Sequence, residues 1–197
     1  AELARGYGDA EALGVRQRLG DALGSPLESL LVDAGADSLI ALTLRACCEP
    51  GSPVIASAGT YPTFGYFAAG QGCRLSEVAY QNAPGLLAPD LEALAERAHR
   101  EDAHLVYLAN PDNPGGHLHD DAAVLALRDA LPDSCTLLLD EAYHDFRRDA
   151  AAPSAGAVWP GAIRLRTFSK AHGLAGLRIG YAIAEPEALA MLAKVRI

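Results

Sequence analysis

The 197-residue chain carries 16 Lys and Arg against 25 Asp and Glu, a formal net charge of -9. That balance argues against a nucleic-acid surface, whose electrostatic footprint is a basic patch. Hydrophobic residues make up 50% of the chain, ample for the core of one large domain, but no stretch is long and apolar enough to cross a membrane. Cys47, Cys48, Cys73 and Cys135 show neither metal-type nor redox-type spacing, and free thiols suit a reducing cytosol. The first residues have no basic region and no apolar run, so no secretory signal is visible.

In chain order, amphipathic segments alternate with short apolar runs. Residues 11–23 predict a helix and 30–33 a strand; Gly35 then allows a sharp turn into a helix over 37–47. A strand over 53–57, a helix over 63–70 and a strand over 74–79 follow, then a helix over 90–99 and a strand over 105–109. The run Asn110-Pro-Asp-Asn113-Pro-Gly-Gly consists of turn formers, after which the pattern predicts a helix over 120–130 and a strand over 136–140. Residues 150–161, rich in Ala, Pro and Gly, predict a surface loop. Strands are predicted over 163–167 and 179–184. Pro186 opens a last helix over 186–195, where its missing N–H costs nothing.

This alternation predicts a three-layer α/β/α sandwich with a mainly parallel seven-stranded sheet. Its strands read as nearly continuous apolar runs, as expected when both faces are covered. The last helical segment reaches Ile197 without a cap or turn, which predicts that the chain is a fragment of a longer one.

The chemistry is densest late in the chain. Lys170, in Thr167-Phe-Ser-Lys170-Ala-His, is flanked by small and hydroxyl residues, with Arg178 eight positions on. Such a setting suits a Schiff-base lysine beside a phosphate pocket. Asp140, at the end of an apolar strand, suits a partner for a protonated pyridine nitrogen. Together they point to pyridoxal 5'-phosphate, to which a protein contributes orientation and charge. Arg178 offers a planar fork of donors matched to phosphate oxygens, with Thr167 and Ser169 beside it. The N–H groups of Ala36 and Asp37 open a helix after Gly35, a terminus that binds phosphate through free donors and the helix dipole; Asp37 also fits a plain N-cap.

The remaining candidates carry alternatives of their own. Asn113 can donate to a phenolate oxygen of the ring, although its surroundings also read as a simple turn. Tyr143, three positions after Asp140, can donate to the same oxygen. Tyr61 suits stacking on the ring or packing in the core. His117 and His119 alternate as two metal ligands would, but no third ligand is apparent and they read as exposed loop residues; no metal is expected. Cys47 and Cys48 read as core residues. Glu141 follows Asp140 directly, and successive strand side chains point to opposite faces, so the two are not a glycosidase-type carboxylate pair.

Taken in order, Gly35-Ala-Asp37, Thr60-Tyr61, Asn110-Pro-Asp-Asn113-Pro, Asp140-Glu-Ala-Tyr143 and Thr167-Phe-Ser-Lys170 through Arg178 resemble the motifs of the fold-type I aminotransferases, in the class I/II group near histidinol-phosphate aminotransferase. The resemblance implies the large, cofactor-binding domain of the aspartate aminotransferase-like fold. It places Lys170 on the cofactor aldehyde, Asp140 on the pyridine nitrogen, and Asn113 and Tyr143 on the ring oxygen. Tyr61 then stacks on the ring, while Ala36, Asp37, Thr167, Ser169 and Arg178 hold the phosphate. Tyr7 falls where the family has a tyrosine that reaches the neighbouring subunit's phosphate, which implies a homodimer.

The resemblance further implies a cytoplasmic transaminase working between an amino donor and a 2-oxo acid acceptor. The family's amino-terminal arm and smaller carboxyl-terminal domain are not in the chain, so the 197 residues alone are expected to be inactive. Decarboxylases, lyases and non-catalytic domains of the same fold share these motifs. Two positions depart from the family pattern: Gly115 replaces the threonine of Asn-Pro-Thr-Gly, and His172 stands where an aromatic residue commonly follows the Lys-Ala pair.

Overall fold

The computed structural model describes residues 8–83, 86–147 and 156–196. Tyr7 and residues 150–155 of the expected surface loop lie outside this set. The strands are β1 (Leu30–Asp33), β2 (Pro53–Ser57), β3 (Arg74–Val78), β4 (Gln81–Ala83), β5 (Leu86–Ala88), β6 (Leu105–Ala109), β7 (Thr136–Asp140), β8 (Ala162–Thr167) and β9 (Gly180–Ile183). Seven of them form one sheet in the order β1-β9-β8-β7-β6-β2-β3. Strands β3, β2, β6, β7 and β8 pair in parallel, and β9 pairs antiparallel with both β8 and β1. Six strands therefore point one way and β9 the other.

The helices are α1 (Leu13–Leu23), α2 (Ala36–Cys47), α3 (Pro62–Gly70), α4 (Leu91–Glu101), α5 (Asp121–Ala130) and α6 (Pro186–Lys194). Asp90 and Asp120 cap α4 and α5, each accepting the N–H three residues on, a bond that satisfies one of the orphan donors of a helix start. Strand parity distributes the side chains between two layers. Leu105, Tyr107 and Ala109 pack with Leu138, Leu165 and the apolar faces of α2, α3 and α6. The alternate residues Val106, Leu108, Leu137 and Leu139 pack under α4 and α5. The expected three layers and seven strands are present, with helix and strand ends within two residues of the expected ones.

Four local features differ from the sequence reading. Arg164 and Arg166 of β8 are fully buried at 0% and 1% exposure, so that strand is not simply apolar. Edge strand β3 exposes Arg74 and Glu77. Single-turn helices at 27–29, 144–146 and 175–177 are too short to show a period. Strands β4 and β5, three residues each, pair as an antiparallel hairpin that is likewise too short for alternation to register.

That hairpin explains one departure from the family pattern. A Cβ added at Gly115 would lie 2.6 Å from the Leu87 carbonyl oxygen and 2.7 Å from Asp112 Oδ2, while the Gly115 N–H donates to Asp112 Oδ2 at 2.8 Å. The space that a threonine would occupy is taken by the hairpin backbone. Overpacking of this kind costs about 1–3 kcal/mol. Gly115→Thr is therefore expected to lower the urea midpoint by a corresponding amount; an unchanged midpoint would show that the hairpin yields freely.

Candidate active site

Because β9 runs against the other strands, its start lies at the same sheet end as the finishes of β1, β2, β6, β7 and β8. Chain segments far apart in sequence thus meet at one edge, the usual ligand-binding end of such sheets. One pocket there is lined by Ala36 and Asp37 after β1, Tyr61 after β2, Asn113 after β6, and Asp140 and Tyr143 from β7 onward. Thr167, Ser169 and Lys170 from β8 and Arg178 before β9 complete it, with Ala109, Pro111 and Ala142 between them. Every residue that the resemblance assigns to the cofactor is here except Tyr7, which lies outside the described residues.

One side of the pocket is an anion cradle. Gly35 is the N-cap of α2 with φ +92°, a conformation open to glycine, and no side chain caps the helix. A Cβ at Gly35 would sit 2.8 Å from Arg178 Nη2, and one at Gly180 would sit 2.9 Å from the Ala36 nitrogen. The missing side chains let the guanidinium and the helix start face each other. Arg178 donates from Nη1 to Ser169 Oγ at 3.4 Å, and Thr167 Oγ1 donates to Ser169 Oγ at 3.0 Å. Asp37 is not an N-cap. Its carboxylate accepts the Tyr61 hydroxyl at 3.0 Å and lies 3.8 Å from Arg178 Nη2. Burial, and the Asp37 charge beside it, push the Tyr61 phenol above its ordinary range.

The opposite wall centres on Asp140, which is 5% exposed. Its Oδ1 accepts the Ala142 N–H at 3.0 Å and its Oδ2 the Tyr107 hydroxyl at 2.8 Å. Desolvation raises its carboxyl above the ordinary value of 3.8, against the lowering effect of those two donors. No ion pair to Asp140 is found among the described residues. Lys170 is exposed at the mouth, its Nζ 5.4 Å from the centre of the Tyr143 ring. A buried carboxylate lacking a cation, a free amine and a glycine-lined cradle with one arginine fit the three poles of pyridoxal 5'-phosphate: protonated ring nitrogen, aldehyde and phosphate.

Glu141 takes the other face, as strand parity requires. It is 3% exposed and accepts from Arg164 Nε and Nη2 at 3.1 and 2.9 Å and from Arg166 Nε at 3.0 Å. His144 Nδ1 lies 3.5 Å away, and the Arg164 guanidinium packs 4.2 Å over Trp159. Desolvation alone would raise the Glu141 carboxyl, but His144 and the two arginines outweigh it and bring it down to about 2. A depressed acid contributes stability that is present above its unfolded pKa and lost as pH falls from the ordinary value of 4.5 towards about 2. Glu141→Gln leaves two buried guanidinium groups uncompensated and is expected to cost about 3–5 kcal/mol at neutral pH by denaturant unfolding. The gap should close at low pH.

Sequence reasoning missed Tyr107, Arg164 and Arg166. The only signal for the arginines was their alternation in Ile-Arg-Leu-Arg-Thr; Tyr107 sat unremarked in an apolar run. His117 and His119 are half-buried rather than exposed, with Asn110 Nδ2 and Oδ1 holding the backbone of His119 at 3.0 and 2.9 Å. No metal-holding group of side chains occurs among the described residues. His172 Nε2 lies 3.0 Å from Asp145 Oδ2, tying the loop after Lys170 to the turn after Tyr143. Cys48 is buried and Cys47 half-buried in the core, as expected.

The sheet order and the lysine-centred pocket at its end define a protein of the aspartate aminotransferase-like fold. The chain belongs to the aminotransferase class I and II family, which it matches over residues 2–196. It is 36% identical over 194 residues to a histidinol-phosphate aminotransferase of Anaeromyxobacter sp. (strain Fw109-5), covering 96% of this chain and 52% of that protein. An aromatic amino acid aminotransferase of Nocardia farcinica (strain IFM 10152) is 34% identical over 203 residues, covering 100% and 56%. The crystal structure of histidinol-phosphate aminotransferase from Sinorhizobium meliloti in complex with pyridoxal 5'-phosphate superposes with a TM-score of 0.90 at 42% identity, covering 97% of this chain and 51% of that one. The chain thus spans about half the length of the relatives it matches.

Proposed function

We propose that this chain is the cofactor-binding large domain of a pyridoxal-phosphate-dependent aminotransferase. Its parent enzyme would move an amino group between an amino acid or an amino-alcohol phosphate of the histidinol-phosphate kind and a 2-oxo acid. The observation that carries the reading is the convergence of Lys170, the uncompensated Asp140 and the Arg178 cradle on one pocket. Bound pyridoxal phosphate supplies an electron sink for a carbanion at the substrate α-carbon.

The protein groups do the rest. Arg178, Ser169, Thr167 and the N–H groups of Ala36 and Asp37 hold the phosphate, and Tyr61 flanks the ring. Asn113 and Tyr143 donate to the ring oxygen, and Asp140 holds positive charge at the ring nitrogen. The Lys170 amine, at Nζ, takes the α-proton as general base. Resident relatives named for histidinol phosphate and for aromatic amino acids support a substrate with a ring.

A homodimer is part of the same reading, with Tyr7 reaching the partner's phosphate. Exposed Tyr66, Leu174 and Leu177, at 74%, 42% and 61%, supply apolar surface for a subunit contact. Free cysteines suit a cytoplasmic setting, and no helix among the described residues is long and apolar enough to cross a membrane. The test is product analysis with the parent enzyme, a 2-oxo acid and either histidinol phosphate or an aromatic amino acid. Stoichiometric exchange of the amino group supports the reading. Release of carbon dioxide or ammonia instead would reassign the chain to a decarboxylase or lyase.

A further inference from the structure

Asp140 can act on a ring nitrogen only if its carboxylate is held in one orientation and stays charged, and its burial opposes the second condition. No arginine, lysine or histidine pairs with it among the described residues. What it does have is a buried phenol. Tyr107 lies on β6, next to β7, two residues before the Ala109 that pairs with Asp140 in the ladder. Both side chains take the α2 and α3 side of the sheet by parity. The Tyr107 ring is 0% exposed and stacks on Phe64 of α3, with centroids 4.3 Å apart and planes within 13°. Its hydroxyl donates to Asp140 Oδ2 at 2.8 Å.

We propose that Tyr107 is a positioning residue for Asp140: clamped by Phe64, its hydroxyl donates to one carboxylate oxygen and aims the group at the protonated nitrogen of a pyridine-type cofactor. The proposal rests on the reading of the pocket given above. Tyr107 stays protonated and donates to the carboxylate, because burial and the adjacent Asp140 charge push its phenol well above the ordinary value of 10. A hydrogen bond to the charged form favours that form, so the same contact counters the desolvation of Asp140. Phenylalanine at this position keeps the ring and its stacking and removes only the donor.

The experiment measures binding of pyridoxal phosphate and of its 1-deaza analogue, in which C–H replaces the ring nitrogen, to the wild-type and Tyr107→Phe chains. The wild type should prefer the natural cofactor. Tyr107→Phe should reduce that preference by about tenfold or more, the scale of a hydrogen bond to a charged group, with little change for the analogue. In an Asp140→Asn background, Tyr107→Phe should leave the preference unchanged, since the interaction it tests is already gone. Equal weakening of both ligands would mean that the ring merely packs, and would overturn the proposal, as would an undiminished preference in Tyr107→Phe. A wild type with no preference, or no binding, would overturn the Asp140 reading and this inference together.

Discussion

Borohydride treatment of the cofactor-loaded protein is expected to fix a pyridoxyl group on Lys170 and on no other residue. The chain makes this an unusually sharp choice, because Lys170 and Lys194 are its only lysines. Lys194 closes α6 and is exposed, and it does not line the pocket, whereas the Lys170 amine stands at its mouth beside Tyr143. Lys170→Ala should abolish the label and lower turnover of the parent enzyme by about 10²–10⁴-fold through loss of the general base alone. Peptide mapping that finds the label shared with Lys194, and undiminished in Lys170→Ala, would remove Lys170 from the mechanism.

The second large effect belongs to Asp140, and it has opposite signs in two measurements. Turnover of Asp140→Asn should fall by about 10²-fold or more, because breaking a buried charge pair costs about 3–5 kcal/mol and each 1.36 kcal/mol is tenfold. The cofactor-free protein should instead become more stable at neutral pH. Burial raises the Asp140 carboxyl, so the folded state holds its proton more tightly than the unfolded state does. Keeping the group ionised then costs stability that grows as pH rises through the raised value. Asparagine has no such cost, so the gain should be present at neutral pH and close as pH falls towards the ordinary value of 3.8. Melting curves of both proteins across that window check the sign. A variant that is less stable than wild type at neutral pH would show that the donors from Tyr107 and Ala142 more than repay the burial.

Much of the architecture was legible because each element carries its own local signal. Apolar runs of four to six residues bounded by Gly, Pro and Asn mark buried strands, and Asp90, Asp120 and Pro186 mark helix starts whatever surrounds them. The pocket residues were legible for a related reason. They sit at strand ends or in the short segments beside them, where a turn, a hydroxyl or a charge has little packing duty, so Asn113, Asp140, Lys170 and Arg178 stand out against their neighbours. What the residues and their order determined by themselves was the layered α/β class and which side chains bear the chemistry.

Only the tertiary structure decided how those residues meet and what supports them. Arg178 precedes its strand while Lys170 follows its own; they share one pocket because β9 runs antiparallel to β8, and local sequence does not encode strand direction. The hairpin that fills the place of a side chain at Gly115, the carboxylate of Asp37 turned to Tyr61 and Arg178, and the burial of Arg164 and Arg166 around Glu141 are all contacts between distant segments. Tyr107 is the clearest case. In sequence it is one more apolar residue in a strand, and it gains a role only when the neighbouring strand brings a buried carboxylate within 2.8 Å of its hydroxyl. Periodicity and turn chemistry act over a few residues, whereas the charge state of a buried acid depends on everything packed around it.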